Sequence, residues 1–527
     1  MKLDYMIELE GGFRIHGSEE LRSGCLRIRP VLPEGRVKAV TARVNITMAE
    51  DERFFVNGYQ TWTYCPEQGR HGFTRGMGKL PKFVIDKFGI DRYGDYFFVD
   101  YPQTPGVMHG ESYCYFRRGG NYRLIASLDE RAGYTLLRYD SRCGVLTISR
   151  DCAGVRCGGV FPALELYYAE GGEDAVFDGW FAAMGVKSRG AKRLCGYSSW
   201  YNRYQNIDAE SITGDLAGCA EHHMLRGDLF QIDDGWEPAV GDWLETDAKK
   251  FPDGLKGTVR DIHGRGFLAG LWLAPFVCQK DSKIFREHPD WLLLHDGKPW
   301  YCGSNWGGFY ALDIDNAEFV RYLEQTFSLV LDDWGIDLVK LDFLYAAAPF
   351  GDARESRAGR MTRAMELLRR LCGDKLILGC GVPLMPSFGL VDYCRISCDV
   401  GLDWDNSLIM RHTNRERVST RQAIGNSISR RQLNGRAFGN DPDVFFLRES
   451  NIRLSETDKY KLAVVNSLFG TLFLTSDNMG EYGSEAAALY ERLRTLSERA
   501  ENIRVDTDNG LTVYYDLEGT EQVLEIE

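Results

Sequence analysis

Residues 338–344 have the sequence LVKLDFL, a short apolar run that carries a lysine and then an aspartate. Such runs are typical of buried strands in a parallel sheet, where a charged side chain needs a partner or a task. Lys340 precedes Asp342 on the same strand face, so it is the expected charge partner and is expected to lower the pKa of the carboxylate. From this stretch alone, Asp342 is either half of a structural ion pair or a catalytic group.

Strand-like runs recur on both sides of this stretch and alternate with helical patterns. Apolar residues at helical spacing occur, for example, over 319–334 and 363–371. Alternating strands and helices predict a parallel sheet, and eight such units over about 300 residues predict a (β/α)8 TIM barrel. The predicted strands are 196–200, 229–233, 268–273, 338–342, 376–379, 393–397, a weakly marked one near Ala437, and 472–476.

The chain before this region has a different pattern, in which short runs alternate apolar and polar residues. Examples are 146–149 and 164–167, and many such strands in series predict a β-sandwich. A polar stretch at 187–193 indicates a domain boundary, and Asn509-Gly510 predicts a hairpin near the end of the chain. The predicted fold class is multidomain α/β, with an N-terminal β-sandwich over 1–190, the barrel over 191–503 and a small C-terminal β appendage over 504–527.

One loop of the N-terminal region departs from this alternation. Residues 57–64 have the sequence NGYQTWTY, an Asn-Gly turn followed by aromatic residues without a clean period. The aromatic residues either pack between two domains or reach a binding site. The pattern leaves both interpretations of Trp62 open.

The composition excludes several classes of partner. The chain has 63 Lys and Arg against 76 Asp and Glu, a formal net charge of -13, so it lacks the basic face that nucleic acid or an anionic membrane needs. The sequence has no signal-peptide pattern and no apolar run of about 18 residues, which predicts a cytoplasmic location. The expected partner is a small molecule, and homo-oligomer formation is left open.

Metal and cofactor sites are not expected. The 14 cysteines show no CxxC or zinc spacing and are expected to be reduced and mostly buried. The nine histidines include no HExxH pattern, and the sequence has no Gly-rich phosphate loop. The chemistry is therefore expected to come from side chains alone.

Carboxylates and tryptophans gather at the ends of the predicted strands, where barrel enzymes place their active sites. Any single Asp there could instead cap the following helix. Several carboxylates that converge without metal-ligand histidines favour glycoside hydrolysis, in which two carboxyl groups act on one bond. The residues concerned are Trp200, Tyr201, Asp233, Asp234, Trp272, Asp342, Arg395, Asp399, Asp441 and Asp443.

The motifs at these strand ends, taken in order, resemble those of the α-galactosidases of glycoside hydrolase family 36, especially the short bacterial type of clan D. The resemblance spans the three predicted domains. Two departures are Ser198, where relatives carry cysteine, and a shorter C-terminal region. The motifs are GYSSWY at 196–201, FQIDDGW at 230–236, GLWLAPF at 270–276, KLDF at 340–343, GCG at 379–381 and NDPD at 440–443.

The resemblance implies a retaining, exo-acting α-galactosidase in which Asp342 is the nucleophile and Asp399 is the acid/base. It implies that Asp233 and Asp234 hold the O4 and O6 hydroxyls of galactose. The remaining residues implied to bind substrate or shape the pocket are Trp62, Trp200, Tyr201, Trp272, Lys340, Cys380, Gly381 and Arg395.

Two other activities stay open on the same motifs, α-N-acetylgalactosaminidase and α-galactosyl transglycosylase. Cys380 and Gly381, implied to lie against O2, leave little room for an acetamido group and so favour galactose. A non-catalytic galactoside-binding protein is disfavoured because both carboxylates are present.

Overall fold

Residues 2–172 form an antiparallel sheet, as their alternating pattern predicts. In the computed structural model, which describes residues 1–78, 80–405, 413–507 and 510–526, this sheet has thirteen strands. Alternate residues of one strand, such as Leu146 and Ile148, are fully buried. The strands are β1 (Lys2–Leu9), β2 (Arg14–Glu20), β3 (Gly24–Ile28), β4 (Val31–Asn45), β5 (Arg53–Phe55), β6 (Glu67–Gln68), β7 (Val107–Glu111), β8 (Tyr113–Arg118), β9 (Asn121–Ser127), β10 (Tyr134–Asp140), β11 (Val145–Asp151), β12 (Arg156–Val160) and β13 (Leu164–Gly172), with helices α1 (Lys82–Phe88) and α2 (Glu173–Met184).

Strands and helices alternate after this sheet, as predicted. The strands are β14 (Leu194–Ser198), β15 (Leu229–Ile232), β16 (Leu268–Leu273), β17 (Val277–Gln279), β18 (Leu294–His295), β19 (Lys298–Pro299), β20 (Tyr301–Gly303), β21 (Phe309–Ala311), β22 (Leu338–Leu341), β23 (Leu376–Gly379), β24 (Tyr393–Arg395), β25 (Gly439–Asp441), β26 (Val444–Phe445) and β27 (Leu472–Thr475). The helices are α3 (Trp200–Arg203), α4 (Ala209–His222), α5 (Leu255–Gly264), α6 (Lys283–Glu287), α7 (Ala317–Ser328), α8 (Arg357–Cys372), α9 (Leu384–Ser387), α10 (Thr420–Ser429), α11 (Glu456–Phe469) and α12 (Ser484–Arg499).

Nine of these strands form a curled parallel sheet in the described part of the chain, in the order β25-β24-β23-β22-β16-β15-β14-β27-β26. The weakly marked strand expected near Ala437 lies further on, as β25 and β26. Pro442 and Asp443 separate the two segments, since proline has no N–H to donate and Asp443 has a φ of 76°. The prediction of a multidomain α/β fold is confirmed.

Several strands of this sheet end earlier than the sequence predicts. β15 ends at Ile232 and β22 at Leu341, so the aspartates that follow them lie in the loops. Trp200, predicted to end the first strand, instead begins α3. The polar residues of interest therefore follow the strands, where their side chains are free to turn toward a common site.

The C-terminal region forms a separate antiparallel sheet of β28 (Ala500–Asp506), β29 (Thr512–Leu517) and β30 (Thr520–Glu525). β29 and β30 lie within the predicted C-terminal β appendage, whereas Asn509 of the hairpin signal lies outside the described residues. β28 begins before residue 504, the predicted domain limit. The domain limits themselves stay predictions.

The N-terminal region and the parallel sheet share one apolar core. The rings of Trp180 in α2 and Phe388 beyond α9 lie 6.0 Å apart, within a cluster that includes residues of both regions. Arg430 adds polar contacts, because its Nη1 donates to the carbonyl of Thr61 at 2.6 Å and to that of Ile396 at 2.9 Å. The N-terminal loop around Trp62 is thus fixed to the end of β24.

Two general features of the chain bear on its environment. Among the described helices, none combines the length and hydropathy that a bilayer crossing requires. All 14 cysteines are free thiols, and those exposed to solvent are Cys25 and Cys143.

Replacing Arg430 with Met is expected to lower the free energy of unfolding by about 2–5 kcal/mol, because it leaves at least two buried carbonyls without a donor. Arg430 is fully buried, so water cannot replace the lost hydrogen bonds in the folded state. Urea unfolding followed by circular dichroism measures the change.

Arg436→Met is the matched control. Arg436 also joins the two regions, but its partners Asp174 and Asp178 are 85% and 65% exposed, so the expected loss is below about 1 kcal/mol. Equal losses in the two variants would contradict a special role for Arg430.

Candidate active site

A cavity of about 340 Å³ lies where the strands of the parallel sheet end. Parallel strands present their carboxyl ends at one edge, so residues distant in sequence meet there. The residues that line the cavity are Trp62, Tyr93, Trp200, Asp233, Asp234, Trp272, Asn305, Trp306, Lys340, Asp342, Phe343, Asp399, Asn414, Glu416, Arg417 and Val418.

Asp342 follows β22 directly and lies in a fixed orientation. Its Oδ1 accepts a hydrogen bond from the N–H of Phe343 at 2.8 Å, and its Oδ2 accepts one from Trp272 Nε1 at 3.1 Å. Phe343 has a φ of 53°, which turns the chain immediately after the carboxylate. Because each oxygen has a donor, the carboxylate is oriented before any ligand binds.

Lys340 does not have the partner that the sequence predicts. Its Nζ lies 2.9 Å from Asp233 Oδ2, and this is its ion pair among the described residues. Burial raises the pKa of Asp342, the positive charge of Lys340 opposes this, and the negative charge of Asp399 adds to it. The expected lowering of the Asp342 pKa is therefore wrong, because the desolvation of a buried carboxylate outweighs the lysine.

Asp399 is the more accessible of the two predicted catalytic carboxylates. Its side chain is 38% exposed, and its Oδ1 accepts a hydrogen bond from Arg395 Nη1 at 2.9 Å. The same guanidinium bonds Asp441 through Nε at 2.8 Å and Asp443 through Nη2 at 3.0 Å. Arg395 was expected to contact substrate, but all three of its nitrogens bond carboxylates and it does not line the cavity.

Asp443 connects this group of charges to the first strand of the sheet. Its Oδ2 accepts hydrogen bonds from the Tyr201 hydroxyl at 2.6 Å and from the N–H of Val400 at 2.9 Å. Burial raises the pKa of Asp443 to about 7, although the nearby Arg395 opposes the shift. Tyr201 thus donates a hydrogen bond to one of these carboxylates and does not line the cavity itself.

Asp233 is held by four groups. Its Oδ2 accepts from Lys340 and from Gln231 Nε2 at 2.8 Å, and its Oδ1 accepts from the N–H of Asp234 at 3.0 Å. Its backbone N–H donates to Ser199 Oγ at 2.9 Å. The side chain is buried and lines the cavity, and these hydrogen bonds fix its position.

Asp234 is buried with one oxygen fixed. Its Oδ2 accepts from Gln205 Nε2 at 2.8 Å and from Trp306 Nε1 at 2.9 Å. Burial raises the pKa of Asp234, and a hydrogen bond with the side chain of Glu237 opposes the shift. Burial and the charge of Asp234 raise the pKa of Glu237 well above its ordinary value, so Glu237 is suited to donate its proton to this hydrogen bond.

Trp62 reaches the cavity from the N-terminal region, which answers the question that its sequence left open. Its Nε1 donates to Cys380 Sγ at 3.3 Å, and its ring meets that of Phe343 edge-on at 5.2 Å. Gly381 has a φ of 53°, and a Cβ there would lie 2.8 Å from the Trp62 ring. Cys380 and Gly381 therefore contact Trp62 and do not line the cavity.

Eight of the twelve predicted site residues line the cavity, and the other four contact residues around it. Those that line it are Trp62, Trp200, Asp233, Asp234, Trp272, Lys340, Asp342 and Asp399; those outside it are Tyr201, Cys380, Gly381 and Arg395.

Half of the lining residues were not predicted from the sequence. Trp306 lies in an Asn-Trp-Gly-Gly turn, a signal that could have marked an aromatic loop. The residues near 414–418 precede α10 and follow no strand end, so no pattern marks them. The residues missed are Tyr93, Asn305, Trp306, Phe343, Asn414, Glu416, Arg417 and Val418.

Comparison with known proteins gives matches in sequence and in fold. Residues 192–366 match the family model described as Melibiase. The α-galactosidase of Escherichia coli is 32% identical over 183 residues, which are 33% of this chain and 25% of that protein. The matched part thus spans about a quarter of that relative's length.

Solved structures match over more of the chain. The α-galactosidase TtGalA of Thermus thermophilus, solved with p-nitrophenyl α-D-galactopyranoside, has a TM-score of 0.76 and 27% identity, with 98% of each chain covered. The family 36 α-galactosidase AgaA of Geobacillus stearothermophilus has a TM-score of 0.58 over 97% of this chain and 80% of that one, and at 14% identity it supports the fold alone. These matches confirm the resemblance of the chain to the α-galactosidases of glycoside hydrolase family 36.

Proposed function

We propose that the chain is a retaining, exo-acting α-galactosidase that releases terminal α-galactosyl residues from oligosaccharides. The observation that carries the proposal is a cavity shared by Asp342 and Asp399, two carboxylates of which one is buried and oriented and the other is accessible. A buried, oriented carboxylate and an accessible one are suited to act as the nucleophile and the acid/base of a double displacement. The similarity to α-galactosidases supports the choice of sugar and anomer.

Asp342 is the proposed nucleophile. Its carboxylate attacks the anomeric carbon of galactose while the bond to the leaving oxygen breaks, which gives a covalent galactosyl-enzyme. The donors Trp272 and the N–H of Phe343 hold both oxygens in place, so little motion is needed to reach the carbon.

Asp399 is the proposed acid/base. It gives its proton to the leaving oxygen in the first step and accepts a proton from water in the second. Its partner Arg395 also pairs with two other carboxylates, Asp441 and Asp443, so the guanidinium charge is shared among three groups. The partial exposure of Asp399 lets water enter from this side.

Asp233 and Asp234 are the proposed galactose-binding carboxylates. Both are buried, line the cavity and are held in fixed positions by other groups, so they accept hydrogen bonds only from a sugar whose hydroxyls point at them. Cys380 and Gly381 do not line the cavity, so Trp62, which contacts Cys380 and lines it, is the proposed limit on a 2-acetamido group and favours galactose over N-acetylgalactosamine. Hydrolysis of α-N-acetylgalactosaminides and transglycosylation remain the alternatives.

We also propose that the parallel sheet is a closed (β/α)8 barrel. β25 and β26, the two ends of the strand order, are separated by Pro442 and Asp443 only, so they count as one interrupted strand. The N–H of Thr471, just before β27, donates to the carbonyl of Asn440 in β25 at 2.8 Å, which supports closure. The N-terminal β-sandwich and the cytoplasmic location stay predictions.

Substrate preference tests the sugar assignment. The kcat/KM for p-nitrophenyl α-galactoside is expected to exceed that for the α-glucoside by about 10³ or more, because the equatorial O4 of glucose would not reach carboxylates that are held in position for an axial hydroxyl. The α-N-acetylgalactosaminide is expected to be turned over poorly. Asp234→Asn should lower kcat/KM for the galactoside at least about tenfold.

Asp242→Asn is the matched control for this experiment. Asp242 is also buried and follows the same strand, but it accepts from the backbone N–H groups of Lys283 and Ile284 and does not line the cavity. Its variant should keep the preference of the wild type. Equal turnover of galactoside and glucoside by the wild type would refute the assignment.

The pH dependence tests the state of Asp342. Because its pKa is raised and the nucleophile must be ionised, the acid limb of kcat/KM is expected above the ordinary aspartate value of about 3.9, with activity lost as the pH falls. Lys340→Met removes an opposing positive charge and should move the limb to higher pH. Lys459→Met, a buried lysine outside the cavity, should leave it in place, and an unmoved limb in the first variant would contradict the assignment.

Stereochemistry separates the two catalytic carboxylates. Asp342→Gly empties the face opposite the leaving group, so azide should attack an activated α-galactoside there and give the β-galactosyl azide. Asp399→Ala still forms the covalent intermediate, and azide should then give the α-galactosyl azide. Nuclear magnetic resonance of the products distinguishes the anomers. Near-normal hydrolysis by Asp342→Gly, or initial release of β-galactose by the wild type, would overturn both roles.

A further inference from the structure

We propose that a second cavity, which lies in the N-terminal region and is here called the N-terminal cavity, binds a neutral monosaccharide or a polyol of similar size. Its volume is about 360 Å³, against about 340 Å³ for the catalytic cavity that contains Asp342 and Asp399. Among the described residues, none lines both cavities. The N-terminal cavity is thus a separate site, and its ligand goes beyond the proposed function.

One face of the antiparallel sheet forms the floor of the N-terminal cavity. Alternate residues of four neighbouring strands lie there in two rows that run across the sheet. The opposite face of the same strands packs into an apolar core, for example through Leu137 and Ile148. The first row is Thr41 of β4, Ser149 of β11, Leu136 of β10 and Glu111 of β7, and the second is Arg43, Thr147, Arg138 and His109 of the same strands.

The segment 95–101 covers this floor and adds aromatic side chains. Phe98 and Tyr101 line the cavity, and the ring of Tyr101 meets that of His109 edge-on at 4.7 Å. Arg415 holds the cover in place, because its Nη2 donates to the Tyr101 hydroxyl at 2.7 Å. Aromatic rings pack against the C–H groups of a sugar, whereas its hydroxyls need polar partners. Cover and floor together offer both.

Glu111 is a buried polar group without a partner in this cavity. The residue is 3% exposed and lines the cavity, yet neither Oε1 nor Oε2 has a hydrogen-bond partner in the described structure. Nδ1 of His109, which is also buried and lies in the second row, has none either. An unpaired buried polar group costs free energy, and a ligand that brings hydroxyl groups would recover it.

Both of these groups are suited to be uncharged near pH 7. Burial and the charges of three carboxylates raise the pKa of Glu111 well above its ordinary value, whereas Arg415 opposes the shift. Burial, with the charges of Arg415 and Arg138, lowers the pKa of His109 to about 3. A protonated carboxyl both donates and accepts hydrogen bonds, as a sugar hydroxyl does. The three carboxylates are Asp95, Glu130 and Asp151.

The charges that line the N-terminal cavity favour a neutral ligand. Arg43 and Arg138 are exposed at one end of the floor, and Asp95 and Asp100 belong to the cover. An anion would lie near the two aspartates and a cation near the two arginines, and a charge placed beside a like charge costs free energy. A hydroxyl-rich compound without net charge avoids both costs.

Glu111→Met tests the site by isothermal titration calorimetry of the full chain with glucose, mannose and myo-inositol. At least one of the three is expected to bind the wild type, with a Kd at least about tenfold higher in the variant because methionine lacks the polar oxygens. Since Glu111 has no partner to lose, the melting temperature of the variant should be no lower than that of the wild type.

Two control variants locate the binding. Glu130 is also buried but already paired, because it accepts from Ser112 Oγ at 3.0 Å and from the N–H of Thr135 at 2.9 Å, and it does not line the N-terminal cavity. Glu130→Met should therefore lower the melting temperature. Asp234→Asn changes the catalytic cavity instead. In both controls the Kd should stay within about threefold of the wild type, because separate sites act independently.

Each other result overturns the proposal. If none of the three compounds binds, or if Glu111→Met leaves the Kd unchanged, the cavity holds water only. A melting temperature that falls as far in Glu111→Met as in Glu130→Met would show that Glu111 is already paired. Weaker binding in Asp234→Asn would place the sugar in the catalytic cavity, and tighter binding of putrescine would assign Glu111 to a cation. Release of nitrophenol from the α-galactoside by the wild type tests the proposed function separately.

Discussion

The guanidinium of Arg395 lies among three carboxylates, and the geometry of the cavity depends on this group of charges. A buried arginine is stable only where its charge is compensated and its donors are used. Asp399, Asp441 and Asp443 do both: Asp399 follows β24, Asp441 ends β25, and Asp443 lies between β25 and β26. The accessible carboxylate of the cavity is therefore fixed by charges on neighbouring strands.

The sequence predicted well what depends on local pattern. Apolar runs mark the strands and polar residues mark their ends, so Asp233, Asp342 and Asp399 were found from the sequence. Partners could not be found in this way, because Lys340 has one carboxylate nearby in sequence and another, Asp233, just after β15, which is two strands away in the sheet. The three-dimensional arrangement selects Asp233. Desolvation of Asp342 is likewise a property of the folded chain and has no local signal.

The parts of the cavity that the sequence did not predict are those formed by loops. The strand near Ala437 was misplaced because Pro442 and a left-handed Asp443 interrupt it, which weakens its pattern. The segment 414–418 carries no motif, since four of its five residues are charged or polar, as in many surface loops. Its burial results from contacts with the N-terminal region, such as that between Tyr96 and Glu416.

The apolar core shared by the N-terminal region and the parallel sheet has a consequence for how such a protein can change over generations. Trp180 contacts Phe388, and Arg430 bonds carbonyls in both regions, so neither surface can be exchanged alone without loss of packing. A library that recombines the two halves from different relatives would produce mostly mismatched junctions. Laboratory evolution toward new leaving groups would need to vary both sides of this junction together.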